Sequence, residues 1–396
     1  MLDSLLTLLS GIAWPAAIAI AWIAGELGNR WLSLPRISSY GIAGFIMAAS
    51  QGGFLGDSAG GSVAMLASFA FALILFELGY RINLRWLRAN PWLGITSLVE
   101  AAGTFVAVFV LAEAFDVPLL ASLLLAALAM STSPAAVLRV ANELKSSGQV
   151  TERLLHLTAF NCVIAVLVFK AVVGYWILTN DGSLFHVVWN SLVVVAVSAG
   201  IGALFGVVVP ALLRSIGSVD RNATVAFALA ALLLTALTHA LKFSPLLAAL
   251  VFGLVTRHRR VLLSQAQRNF GALGDLLTVL LFVFVAASLD WKQVQTGIYL
   301  ALAVVGVRLA VKMSATTCFA RLSGITWRKG ALTGLAMTPM SVFVILLLEQ
   351  TRHLKIGALD QVAGVAAIIL LLEVVGPLLT QRALIWAGET HQSGRP

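Results

Sequence analysis

Apolar positions run almost unbroken for twenty residues or so at a time, and polar residues gather in short clusters between these runs. Reading the runs against turn and charge clusters predicts thirteen helices, over 8–27, 37–51, 62–82, 91–114, 117–144, 152–178, 186–212, 223–241, 244–257, 270–288, 294–321, 328–350 and 357–386. Runs of this length can cross a hydrocarbon layer about 30 Å thick. The alternating segments of roughly ten residues that would mark a transmembrane β-barrel are absent. The pattern therefore predicts an all-α polytopic membrane protein.

Composition strengthens that reading. Of 396 residues, 60% are hydrophobic and 11% charged, with a mean hydropathy of +0.97, so the chain lacks the charged surface of a soluble domain. A net charge of +9 and a pI near 10.1 would suit a nucleic-acid binder, but in a membrane protein the excess Lys and Arg belong in cytoplasmic loops. Here they do segregate. One alternate set of loops carries Arg81, Arg85 and Arg88, then Arg257, Arg259, Arg260 and Arg268, then Arg321, Arg328 and Lys329, whereas the other holds only Lys242, Lys292, Arg352 and Lys355. Thirteen spans, an outside N-terminus and a cytoplasmic C-terminus in the inner (plasma) membrane are the expectation, with the lipid bilayer and not nucleic acid as partner. The first apolar run lacks a basic segment before it ("MLDSLLTLLS") and reads as a retained helix. The tail after Trp386 is too short for a regulatory domain. Cys162 and Cys318 lie in apolar runs and form neither a metal spacing nor a disulfide framework; no cofactor or metal is expected.

Two helices are interrupted in nearly the same words: "LAMSTSP" at 128–134 and "LAMTP" at 335–339. Proline removes a backbone donor and disfavours helical geometry just before it. The freed backbone groups need protein or a water-lined cavity to satisfy them. With thirteen spans the fifth and twelfth helices run in opposite senses, so the breaks occupy corresponding places in two inverted halves. Such a pair points to a transporter substrate site near the bilayer midplane, where half-helix ends and loose carbonyls face an ion. A simple proline kink is the blander alternative. Candidate ligands are Ser131, Thr132 and Ser133 from one half, and Thr338 and Ser341 from the other.

Several stretches, in this order, resemble the monovalent cation:proton antiporters of sodium/hydrogen exchanger type. They are "SSYGIAGFIM", "LILFELGYRINLRWLR", "STSPAAVLRVANEL" and "FARLSGITWRKGALTGLAM". The resemblance implies the NhaA-type fold, with inverted repeats and two interrupted, crossing helices. It further implies a homodimer whose scaffold comprises 1–90 and 181–293, and a mobile core of 91–180 and 294–396. The activity it implies is exchange of Na⁺ or K⁺ for protons by an elevator-like movement of that core. In the sixth helix such proteins carry an Asn-Asp or Asp-Asp pair; "LTAFNCVIAVLVF" offers Asn161 and Cys162. A thiol could replace that carboxylate only as a thiolate, which apolar burial disfavours, and a hard cation prefers oxygen.

The charged residues left in the implied core are Glu100, Arg308 and Glu373. A charge at bilayer depth costs about 2.5–3.5 kcal/mol, so each needs a partner. Arg308 falls where the resemblance places a core Lys or Arg that pairs with the sixth-helix carboxylate, and Glu100 or Glu373 is the expected substitute. Such a contact would be a structural ion pair or a relocated proton and cation carboxylate. Lys312, one turn on, either lines the same cavity or snorkels toward water. Two further readings stay open: transport of a small anion or organic acid on Arg308, and a non-transporting relative acting as sensor or assembly partner. No nucleophile–His–acid set or phosphate loop suggests an enzyme.

Overall fold

The computed structural model describes residues 2–56, 61–177, 184–216, 219–259, 263–264, 270–340 and 364–390. Its helices are α1 (Leu2–Leu32), α2 (Arg36–Met47), α3 (Gly61–Arg81), α4 (Leu84–Ala89), α5 (Trp92–Ala114), α6 (Leu119–Ala129), α7 (Pro134–Glu143) and α8 (Gln149–Ile177). They continue with α9 (Leu184–Ile216), α10 (Val219–Ala240), α11 (Pro245–His258), α12 (Gly271–Ala287), α13 (Trp291–Thr296), α14 (Ile298–Cys318), α15 (Trp327–Ala336) and α16 (Gly364–Trp386). No strand occurs among the described residues, only an isolated bridge between Ala48 and Leu55.

Each of the thirteen expected spans has a helical counterpart. The fifth is split into α6 and α7. The twelfth begins as α15 and stops at Ala336, and residues 341–350, with the expected ligand Ser341, lie outside the described residues, as do 357–363 of the thirteenth. Two boundaries need correction. The second span ends at Met47 because the chain folds back there, with Leu55 N donating to Met47 O at 3.0 Å around a turn that uses Gly52 at φ 82°. The eleventh is two helices, because Asp290 caps a separate short turn by accepting from Lys292 N. Helix α4 was likewise unanticipated; Asn83 caps it by accepting from the backbone N–H groups of Arg85 and Trp86.

Packing sorts the helices into two groups. In one, α3 and α11 lie backbone to backbone: a Cβ on Gly79 would stand 2.0 Å from Leu250 O, and one on Gly253 2.0 Å from Phe76 O. Small residues let membrane helices approach this closely and gain dispersion contacts. α9 and α10 join this pair, and α12 links it to α1 and α2. In the other group α14 packs on α5, α15 and α16, while α6 and α7 lie on α8. The seam between them runs along α2–α16, α3–α7 and α8–α9.

Candidate functional site at the helix crossing

The site grows from two failed helices. α6 ends at Ala129, residues 131–133 run without helical structure, and Pro134 opens α7 at a position where its missing N–H costs nothing. α15 stops at Ala336, just before Thr338-Pro339. The two breaks touch. Ser133 N donates to Pro339 O at 2.9 Å, and the Thr132 hydroxyl to Met337 O at 3.4 Å. Gly376 of α16 presses on the second break, where a Cβ would meet Pro339 Cα at 2.6 Å.

The predicted hydroxyls divide by role. Ser131 donates to Leu128 O at 2.7 Å, and the Thr338 hydroxyl bonds back to Leu335 O. Ser133 accepts from Ala136 N at 3.2 Å as the N-cap of α7. Those three finish their own helix ends. Thr132 alone turns to side chains of other helices, accepting from Asn161 Nδ2 and from the Lys312 ammonium, each at 3.4 Å.

Arg308 of α14 lies buried in the crossing, and its partners correct the expectation of a Glu100 or Glu373 ion pair. Its Nε donates to Ala129 O at 2.8 Å, Nη1 to Thr338 O, and Nη2 to Ser131 O and, at 3.3 Å, Pro339 O. The guanidinium thus ties together the carbonyls that both broken helices leave bare. The negative ends of two helix dipoles meet there, and a fixed cation answers them.

The ion pair belongs instead to Lys312, one turn further along α14. Its ammonium contacts Glu100 Oε1 and also donates to Met130 O at 3.2 Å and the Thr132 hydroxyl at 3.4 Å. Glu100 Oε2 accepts from Asn161 Nδ2 at 2.7 Å, and Thr104 donates to Oε1 at 3.1 Å. Asn161 Oδ1 in turn accepts from Ser97 at 3.0 Å. Every one of these groups is buried. A carboxylate thus reaches the first break, supplied by α5 rather than α8. Cys162, beside Asn161, only touches Thr132 O, at 3.4 Å. The sequence pointed to Lys312 through its spacing from Arg308 without choosing between cavity and snorkelling; Ser97 and Thr104 carried no signal beyond their place near Glu100.

Glu373 stands apart. Both its oxygens are buried without a hydrogen-bond partner among the described residues, and they face a small cavity at the seam, next to Ser133 and Pro339.

A polytopic membrane bundle with two interrupted helices crossing around buried charge is the architecture of a secondary transporter rather than an enzyme. The chain matches the model of the sodium/hydrogen exchanger transmembrane family over residues 16–386, and it belongs to that family. It is similar to the structure of the sodium proton antiporter MjNhaP1 from Methanocaldococcus jannaschii at pH 8, with a TM-score of 0.66 and 16% identity over 97% of this chain and 98% of the other. An electron-microscopy map of that antiporter gives a TM-score of 0.65 at 16% identity, covering 96% and 98%. Among characterised sequences it is 23% identical to the iron transporter MagA of Paramagnetospirillum magneticum, over 96% of this chain and 88% of that protein. The likeness establishes the expected fold: all-helical, with inverted repeats and two crossing interrupted helices.

Proposed function

We propose that the chain exchanges a monovalent cation, Na⁺ or K⁺, for protons, with Glu100 as the carboxylate that the sixth helix lacks. One observation carries this reading: Glu100 accepts from Asn161 at 2.7 Å and faces Lys312 beside the first break. The partners of the Lys312 ammonium are a carboxylate, a carbonyl and a hydroxyl, all oxygens. That donor set also suits a hard monovalent cation. A cation that enters takes the ammonium's place, and Lys312 gives up its proton as it leaves Glu100; the reverse stroke reloads it. Opposite occupancy of one carboxylate couples the two fluxes.

Alternating access then needs one helix group to move against the other. The proposed core is 91–180 with 294–396 and the scaffold 1–90 with 181–293; the two packing groups support that division. The distribution of Arg and Lys supports an outside N-terminus and a cytoplasmic C-terminus in the inner membrane. A second copy would pair along the scaffold, which cross-linking in native membranes would detect.

The anion reading loses ground because every guanidinium nitrogen of Arg308 already serves a carbonyl. MagA's name raises iron. No group of three His, Cys, Asp or Glu side chains that could hold a metal ion occurs among the described residues.

In proteoliposomes an imposed pH gradient should drive Na⁺ or K⁺ movement, and Glu100→Gln should abolish it. Absence of flux for either ion at any pH would sink the proposal. Fe²⁺ uptake in the same vesicles would favour the iron reading, and cation-dependent stabilisation without flux would favour a sensor.

A further inference from the structure

Glu373 is not among the partners of Glu100, and its surroundings are of a different kind. It sits midway along α16, where that helix crosses the seam onto α2. A Cβ on Gly41 of α2 would stand 3.4 Å from its Cγ and 3.5 Å from Oε1, and Ser38 of α2 donates to Val374 O at 2.9 Å. The cavity before the carboxyl has about 10 Å³ of room and is walled by Phe282 and Val285 of α12, Ser133, Pro339 and Met340. That is the lower limit for one water or one small ion.

No described charged group is free to answer Glu373. On α2, Arg36 pairs with Glu26 and Glu143, and Tyr40 lies among those same three. On α7 and α12, Arg139 pairs with Asp275. On α14, Arg308 is spent on carbonyls and Lys312 on Glu100. On α15, Arg328 donates to Trp386 O and Lys329 to Gln149. Lys292 of α13 and Arg382 of α16 itself are exposed. A bare carboxylate against Phe282 and Val285, with neither hydrogen bond nor counter-charge among the described residues, is among the costliest groups a protein can bury.

We propose that Glu373 is a second binding site, for a single positive charge in the form of a proton or a small monovalent cation, and that only the filled site lets α16 rest against α2 and α12. The exchange at Glu100 would then proceed through a seam that closes when Glu373 is neutral and resists closing when it is charged. Loading at the seam becomes a condition for movement, separate from loading at the crossing.

The test compares the melting of the purified full chain with that of Glu373→Gln, which mimics the filled state, and of Glu373→Met, which fills the space with an apolar chain. If the folded seam holds a proton that the unfolded chain releases, the parent loses stability as pH rises. The variants do not share that loss, so the melting difference should be small in acid and grow steadily into alkaline buffer. Contributions from Glu100 and Glu77 are common to all three proteins and cancel. At alkaline pH, replacing choline by Na⁺ or K⁺ should close the gap if a cation fills the site; a gap that persists assigns the proton. Parallel pH profiles for parent and Glu373→Gln, or a Glu373→Gln protein less stable at every pH, would overturn the proposal. Flux plays no part in this readout, so failure of exchange at Glu100 and failure of the seam site give different results.

Discussion

Arg308→Gln tests whether the crossing is held by its own built-in cation. The guanidinium serves four carbonyls: Ala129, Ser131, Thr338 and Pro339. A buried acceptor left unsatisfied costs about 1–3 kcal/mol. A glutamine amide is shorter and has donors for two carbonyls at most, so two or three of the four lose their partner. Removing a buried charge also relieves its desolvation, which offsets part of the loss. The net expectation is a destabilisation of roughly 3 kcal/mol or more. Arg308→Lys keeps the charge but not the fork, and should lose about half as much. Reversible unfolding in mixed micelles with rising SDS fraction measures both. The freed carbonyls are oxygen ligands, so Na⁺ or K⁺ should restabilise Arg308→Gln more than the parent. A loss under about 1 kcal/mol, or equal losses for the two variants, would refute the assignment of Arg308 as the tie between the breaks.

Three further outcomes follow from the same geometry. Lys312→Met removes the competitor for Glu100, so cation-dependent stabilisation in a thermal-shift assay should increase while proton-coupled flux is lost; unchanged binding would contradict the competition. Cys162→Asp places a second carboxylate beside Thr132 and should enlarge the Na⁺-dependent melting shift, whereas a shift equal to the parent's would mean that residue 162 does not face the ion. Gly253→Leu drives a side chain into Phe76 O, 2.0 Å from where its Cβ must stand, and should cost about 1–3 kcal/mol or more in the same micelle unfolding.

The spans and breaks were legible because each has a strong local signature. A run of apolar residues registers in any window, and Pro134 and Pro339 each disfavour helical geometry in the residue just before them. The short helices α4 and α13 escaped because their signal is a single capping side chain, Asn83 or Asp290, rather than a periodicity. The pairing of charges was not legible for a geometric reason. Arg308 and Lys312 lie one turn apart on one face of α14, and only the rotation and depth of α5 against that face decide which of them meets Glu100. The hydroxyls were over-assigned for a related reason. A Ser or Thr at a broken helix end has its own backbone within reach, and Ser131 and Thr338 bond there first.

These placements bear on how a chain with Cys162 in the sixth helix can still hold a transport site. Broken helices in lipid pose two separate problems: their bare carbonyls need donors, and the transported charge needs a counter-charge. Arg308 answers the first with a cation built into the chain. On the proposed reading the second falls to Glu100, which reaches Asn161 from a neighbouring helix while Lys312 reaches the hydroxyl of Thr132. Relocation keeps the chemistry because a carboxylate is defined for a cation by its position and its neighbours, not by the helix that carries it. What that relocation would change is the lever: the acid rides on α5, packed against α14, α6 and the α8 that carries Asn161, so movement of those four helices together preserves the site while any slip between α5 and α14 would break it. A disulfide or short cross-link joining α5 to α14 should therefore leave cation binding intact, whereas one joining α2 to α16 across the seam should stop exchange.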